Sequence, residues 1–172
     1  MIEWYALVVG TRPNFRNEGI AFITNDAANH RLALLMAPGL EVDPHKLRHD
    51  GMHHTAFEFE SLDDLLGTYL RLKRHDVVPH MCLDHGLTMS FYYVDPDGNS
   101  VELQADNYGD WEQSSEFIRD DPRFAADPIG KFVDPDGIVE LRQSGVDPRQ
   151  VHERAYRGEC PARGPVDMRL PR

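Results

Sequence analysis

Cysteine is scarce. Cys82 and Cys160 are the only two in 172 residues, and no CxxC pair occurs. A disulfide framework and a cysteine-rich zinc site are therefore both disfavoured. Basic residues are outnumbered, 18 Lys and Arg against 29 Asp and Glu, and the net charge is −11. A phosphate backbone needs a basic face, so this balance argues against a nucleic-acid partner. No apolar run reaches the roughly 18 residues of a membrane span, and no leader-like stretch opens the chain. The expectation is a soluble cytoplasmic protein with no membrane partner. What is present is enough apolar content, 41%, to bury the core of one domain, and nine histidines whose positions carry information.

The pentapeptide VDPDG occurs twice, in SFYYVDPDGNSVELQ (90–104) and in GKFVDPDGIVELRQ (130–143). In the first copy, Asp95 to Gly98 lies between two alternating runs, so a hairpin of Phe91 to Val94 with Ser100 to Gln104 is expected. On its second strand Val101, Leu103 and Ala105 share one face, while Ser100, Glu102 and Gln104 share the other. In the second copy, Asp134 and Pro135 suit an N-cap and a first helical position, with Ile138 and Leu141 at helical spacing and Gly145 as a stop. One copy opens a hairpin and the other a helix; only the first is a site candidate.

Short alternating runs dominate up to about residue 108. Ile20 to Thr24, His30 to Met36, Met52 to Glu60 and Leu87 to Val94 read as strands. Ser61 to His75 reads as a helix, N-capped by Ser61, with Leu65, Tyr69 and Leu72 on one face and basic residues at its end. Offset by 69 residues, AFITNDAANHRLAL (21–34) lies over SFYYVDPDGNSVEL (90–103), matching Phe22 to Phe91, Asp26 to Asp95 and Leu34 to Leu103. A duplicated unit follows. The second unit, 52–108, reads strand, helix, three strands. The first, 1–40, keeps only a helix end (Ile2 to Val9) and three strands. Residues 109–172 read as a C-terminal extension with short helices, partly irregular, in which Val151, Ala155 and Tyr156 pack and Glu153, Arg154 and Arg157 face water. From Pro161 onward the composition suggests poor order and a removable end.

Paired β-α-β-β-β units, a last strand reading DPDGNSVEL and a first strand beginning HHTAFEF resemble the vicinal oxygen chelate superfamily. That group holds glyoxalases, bleomycin-resistance proteins and extradiol catechol dioxygenases; the resemblance covers about residues 1–108 and is closest to the iron-bearing domain of the last. It implies an α+β fold in which the two units form a cupped mixed sheet with a metal inside. His54, directly before the x-A-x-E pattern, resembles a metal ligand, and Glu102 resembles the carboxylate ligand. His30 resembles the histidine that handles a substrate proton and oxygen, while His85 and Tyr92 resemble residues that hydrogen-bond the substrate. The implied cofactor is Fe(II), or Mn(II) with the same ligands, and the implied partners are a small aromatic diol and dioxygen. A glyoxalase-type isomerase and a metal-free binding protein on the same scaffold are the other readings.

The family's other histidine ligand belongs to the first strand of the first unit. By the repeat, the counterpart of His54 falls about fifteen positions before Met1. The expectations are an internal Met1, a strand from another chain, or a site with two protein donors, which would bind metal weakly. An unpaired strand edge in the first unit favours a homo-oligomer. His45, His49, His75, His80 and His152 read as surface residues, and Cys82 as a small buried hydrophobe.

Overall fold

Tyr5 and Val8 lie one helical turn apart, and both are buried on α1 (Ile2–Val9) in the computed structural model, which describes residues 1–171. Gly10 ends the helix at φ 68°, a left-handed conformation that costs a residue without a Cβ little. The strands β1 (Arg12–Arg16), β2 (Ile20–Thr24) and β3 (Leu32–Leu35) follow as an antiparallel sheet in that order. A helix and three strands is the arrangement that the repeat predicts for the first unit. Met1–His53 and the turn Val94–Asn99 belong to one compact unit. In that turn Asp95 accepts the backbone N–H groups of Asp97 and Asn99 and the Tyr5 hydroxyl, at 3.0, 2.8 and 3.1 Å. Gly98 supplies the positive φ of 79° that the turn requires.

His54–Tyr93 and Ser100–Arg169 form the second unit. Its β-α-β-β-β core consists of β4 (His54–Phe59), α2 (Leu62–Lys73), β5 (Met81–Asp84), β6 (Thr88–Val94) and β7 (Ser100–Asp106). Ser61 caps α2 by accepting the Asp64 N–H at 3.2 Å, and Leu65, Leu66, Tyr69 and Leu72 form its buried stripe. Tyr69 meets Phe91 edge-on, with ring centroids 5.6 Å apart. The sheet order is β4-β7-β6-β5-β8, with β4 parallel to β7 and the last strand, β8 (Lys131–Phe132), supplied by the C-terminal extension. The extension also carries α3 (Trp111–Asp120), α4 (Pro122–Ala126), α5 (Pro135–Gln143) and α6 (Pro148–Tyr156).

The second VDPDG copy opens a helix. Asp134 accepts the Gly137 N–H at 2.8 Å and Pro135 occupies the first turn of α5. On α6, Val151 and Ala155 are buried, but Arg154 is half-buried and pairs with Glu159 at 2.8 Å, so it does not simply face water. The chain from Pro161 also departs from the expectation of poor order. Pro161 bridges Val133, the Ala162 N–H reaches the Phe132 carbonyl at 3.2 Å, and Val166 and Met168 pack on Met81, Leu83 and Tyr92. Proline, glycine and charge dominate the composition there, while two apolar side chains and an exposed strand edge provide the attachment. No helix among the described residues is long and apolar enough to cross a membrane.

Candidate active site

Parallel pairing of β4 with β7 sets His54 opposite Ser100 and Ala56 opposite Glu102, so His54 and Glu102 are diagonal neighbours on one face. Their side chains meet, His54 Nε2 to Glu102 Oε2, at 3.1 Å. The second carboxylate oxygen, Oε1, accepts the Tyr92 hydroxyl from β6 at 2.8 Å. His85, in the turn between β5 and β6, brings Nε2 to 2.9 Å from that same hydroxyl oxygen. His54, Glu102, Tyr92 and His85 are thus linked hand to hand within the second unit.

The electrostatics follow from burial and these bonds. Burial pushes the Glu102 carboxyl up, but hydrogen bonds from His54, Ser90 and Tyr92 together outweigh it and hold the group below the usual carboxylate value. The bond to Glu102 raises His54 above an ordinary histidine, against partial burial. Burial is the largest influence on His85 and lowers it, which keeps the imidazole neutral near pH 7. Burial and the Glu102 charge push the Tyr92 phenol far up, so it keeps its proton. Because the single Tyr92 proton is given to Glu102 Oε1, the 2.9 Å contact requires His85 Nε2 to carry its proton and donate to the phenol oxygen.

His30 lies in the other unit. It is exposed just before β3, its ring 4.9 Å from Phe22 and its Nδ1 2.7 Å from Asn29 Oδ1. Two histidines expected on the surface are not there. His80 is half-buried, with Nε2 3.1 Å from Ser100 Oγ, Nδ1 2.7 Å from the Asp167 carbonyl and its ring 6.2 Å from that of Tyr92. His152, its side chain 16% exposed, places Nδ1 2.8 Å from a carboxylate oxygen of fully buried Asp84. The available signal for His152 was its place beside Val151 on the packed face of α6; His80 carried none beyond preceding a strand. His45, His49 and His75 are exposed.

The donor chemistry suits a hard-to-borderline divalent cation: one imidazole and one carboxylate, partly shielded, already in contact. Among the described residues no third His, Cys, Asp or Glu joins them in a group that could hold a metal. His54 and Glu102 therefore offer two donors, with a neutral imidazole and a protonated phenol beside them.

The family model of the Glyoxalase/Bleomycin resistance protein/Dioxygenase superfamily matches residues 1–103. Biphenyl-2,3-diol 1,2-dioxygenases 3 and 2 of Rhodococcus globerulus are each 36% identical over 156 residues, covering 91% of this chain and 82% and 81% of their own. A solved structure of lactoylglutathione lyase from Agrobacterium tumefaciens superposes with a TM-score of 0.45 at 19% identity, over 59% of this chain and 79% of that one.

Proposed function

Since the chain belongs to the Glyoxalase/Bleomycin resistance protein/Dioxygenase superfamily, we propose that it is an extradiol dioxygenase, opening the ring of a catechol-type diol with both atoms of dioxygen. Two relatives named as biphenyl-2,3-diol dioxygenases, matching across 91% of the chain, support that reaction over the superfamily's isomerisations. The observation that carries the proposal at the level of chemistry is the His54–Glu102 contact at 3.1 Å with Tyr92 and His85 on the same hydrogen-bonded chain.

In this reading His54 and Glu102 are protein ligands of Fe(II), with Mn(II) able to use the same donors. When bound, the metal would supply Lewis acidity toward the diol oxygens and a redox centre for activating dioxygen. His85, neutral and with its Nε2–H directed at the Tyr92 oxygen, would donate a hydrogen bond to a diol oxygen in the complex. Tyr92, whose phenol stays protonated, donates to whichever acceptor stands before it, Glu102 at rest or a substrate oxygen in the complex. His30 is assigned proton handling by the resemblance and is carried as part of the proposal. So are a cytoplasmic location and self-association, the latter because β1 and β3 are edges of their sheet.

The test is oxygen uptake by the Fe(II)-loaded protein with a panel of catechols that includes biphenyl-2,3-diol. Consumption of one dioxygen per diol, abolished by chelation, supports the proposal. Full iron loading with no uptake on any catechol returns the choice to an isomerase or a binding protein.

A further inference from the structure

The turn that carries His85 is gripped by chain that is distant in sequence. The residue before it, Asp84, is 0% exposed, an environment that carboxylates avoid unless hydrogen-bonded. Its Oδ1 accepts the Gly86 N–H at 2.8 Å and Asn107 Nδ2 at 3.2 Å, and its Oδ2 accepts His152 Nδ1, from α6, at 2.8 Å. On the other flank Gly130 has φ 86°, and a Cβ there would lie 2.2 Å from the Asp84 carbonyl oxygen and 2.8 Å from the His85 Cα. Only glycine permits that approach, which seats the backbone at Gly130 directly against the turn. Gly86 is enclosed too: a Cβ on it would lie 2.6 Å from the Phe117 ring and 3.2 Å from that of Tyr156.

We propose that His152 is a positioning residue for His85, acting through Asp84. α6 fixes the Asp84 carboxylate, the carboxylate fixes the turn, and the turn, with Gly130 packed against it, aims His85 Nε2 at the Tyr92 oxygen. The catalytic consequence rests on the role given to His85 above; the geometric claim does not. A histidine that only stapled α6 to the sheet would affect melting and leave the His85 ring unchanged.

The experiment compares His152→Gln, which keeps a donor for Asp84, with His152→Leu, which keeps bulk and removes it. In metal-free, nitrogen-15-labelled full chain, the imidazole nitrogen resonances of His85, assigned by their loss in His85→Gln, report which ring nitrogen holds the proton. His152→Leu should shift them and His152→Gln should leave them near wild type. In Fe(II)-loaded protein, His152→Leu should lower kcat on a catechol by about tenfold while KM stays within about twofold, with His152→Gln restoring kcat. Should His152→Leu not fold, Asn107→Ala withdraws the other side-chain donor to Asp84 and gives the same reading. Unmoved His85 resonances in the donor-deleted protein overturn the proposal whatever the activity. Shifted resonances in a protein that turns over no catechol, wild type included, uphold the positioning and sink the dioxygenase reading instead.

Discussion

His54 Nε2 stands 3.1 Å from Glu102 Oε2, joining the first and last strands of one β-α-β-β-β unit. Parallel pairing of those strands, separated in sequence by a helix and two further strands, is what makes them neighbours. A carboxylate at 5% exposure needs a cation, and here it has an imidazole on one oxygen and a phenol on the other. Glu102→Ala should therefore lower Fe(II) affinity by more than about a hundredfold, since a direct ligand should cost more than an outer-shell partner. Equilibrium dialysis against Fe(II) checks this for both proteins; unchanged affinity would remove Glu102 from the ligand set.

Tyr92→Phe keeps the ring that packs with Met81 and Leu83 and deletes the hydroxyl shared by Glu102 and His85. Stability should fall by only about 1 kcal/mol, the net worth of a hydrogen bond. Turnover on a catechol should fall by about tenfold, the worth of one hydrogen bond of about 1.4 kcal/mol to a substrate oxygen. Steady-state kinetics beside a melting curve separates the two effects, and a kcat within twofold of wild type would contradict the role.

Deleting residues 161–172 should destabilise the fold, contrary to what the composition of that stretch implies. Val166 and Met168 lie half-buried on the Met81, Leu83 and Tyr92 cluster, and the Asp167 carbonyl accepts His80 Nδ1 at 2.7 Å. Two such side chains are worth about 1 kcal/mol each. In a chain of this size that loss lowers Tm by roughly 4–8 °C. A Tm within a degree of the full chain would show that the segment rests on the surface without holding it.

Asp136 makes acid stability a fourth check. The Lys73 ammonium reaches both its oxygens at 2.6 and 2.7 Å and the Tyr69 hydroxyl donates at 2.7 Å. Lys73 first, then Tyr69, hold its carboxyl below the ordinary value. A depressed folded-state pKa stabilises the protein above the unfolded value of about 3.9 and stops doing so as pH falls through the folded value. Asp136→Asn should cost less than about 1 kcal/mol at neutral pH, because the ion pair is solvated. It should also flatten the decline of Tm below about pH 4. An unchanged slope there would mean that other carboxylates carry the acid response.

The sequence made the local devices legible because each is encoded within a few residues. Ser61 caps α2, Asp95 builds a turn where its neighbours alternate, and Asp134 starts a helix where Ile138 follows at helical spacing. His54 and Glu102 could be paired only through a motif at the two ends of a repeat unit, since their contact depends on strand order. His80 and His152 looked like surface residues because their partners, the Asp167 carbonyl and Asp84, come from chain 87 and 68 positions away. Nothing in the local pattern around either histidine marks that closure, and the same holds for Gly130 beside Asp84.

The most direct test of the account is labelled-oxygen ring cleavage. The protein, loaded anaerobically with excess Fe(II), is mixed with biphenyl-2,3-diol under oxygen-18 gas, and the product is analysed by mass and fragmentation. The account predicts a ring opened beside, not between, the two hydroxyl-bearing carbons, with both labelled atoms in one product molecule and no product from Glu102→Ala. Recovery of intact diol from iron-loaded protein, or cleavage between the hydroxyl-bearing carbons, would contradict it.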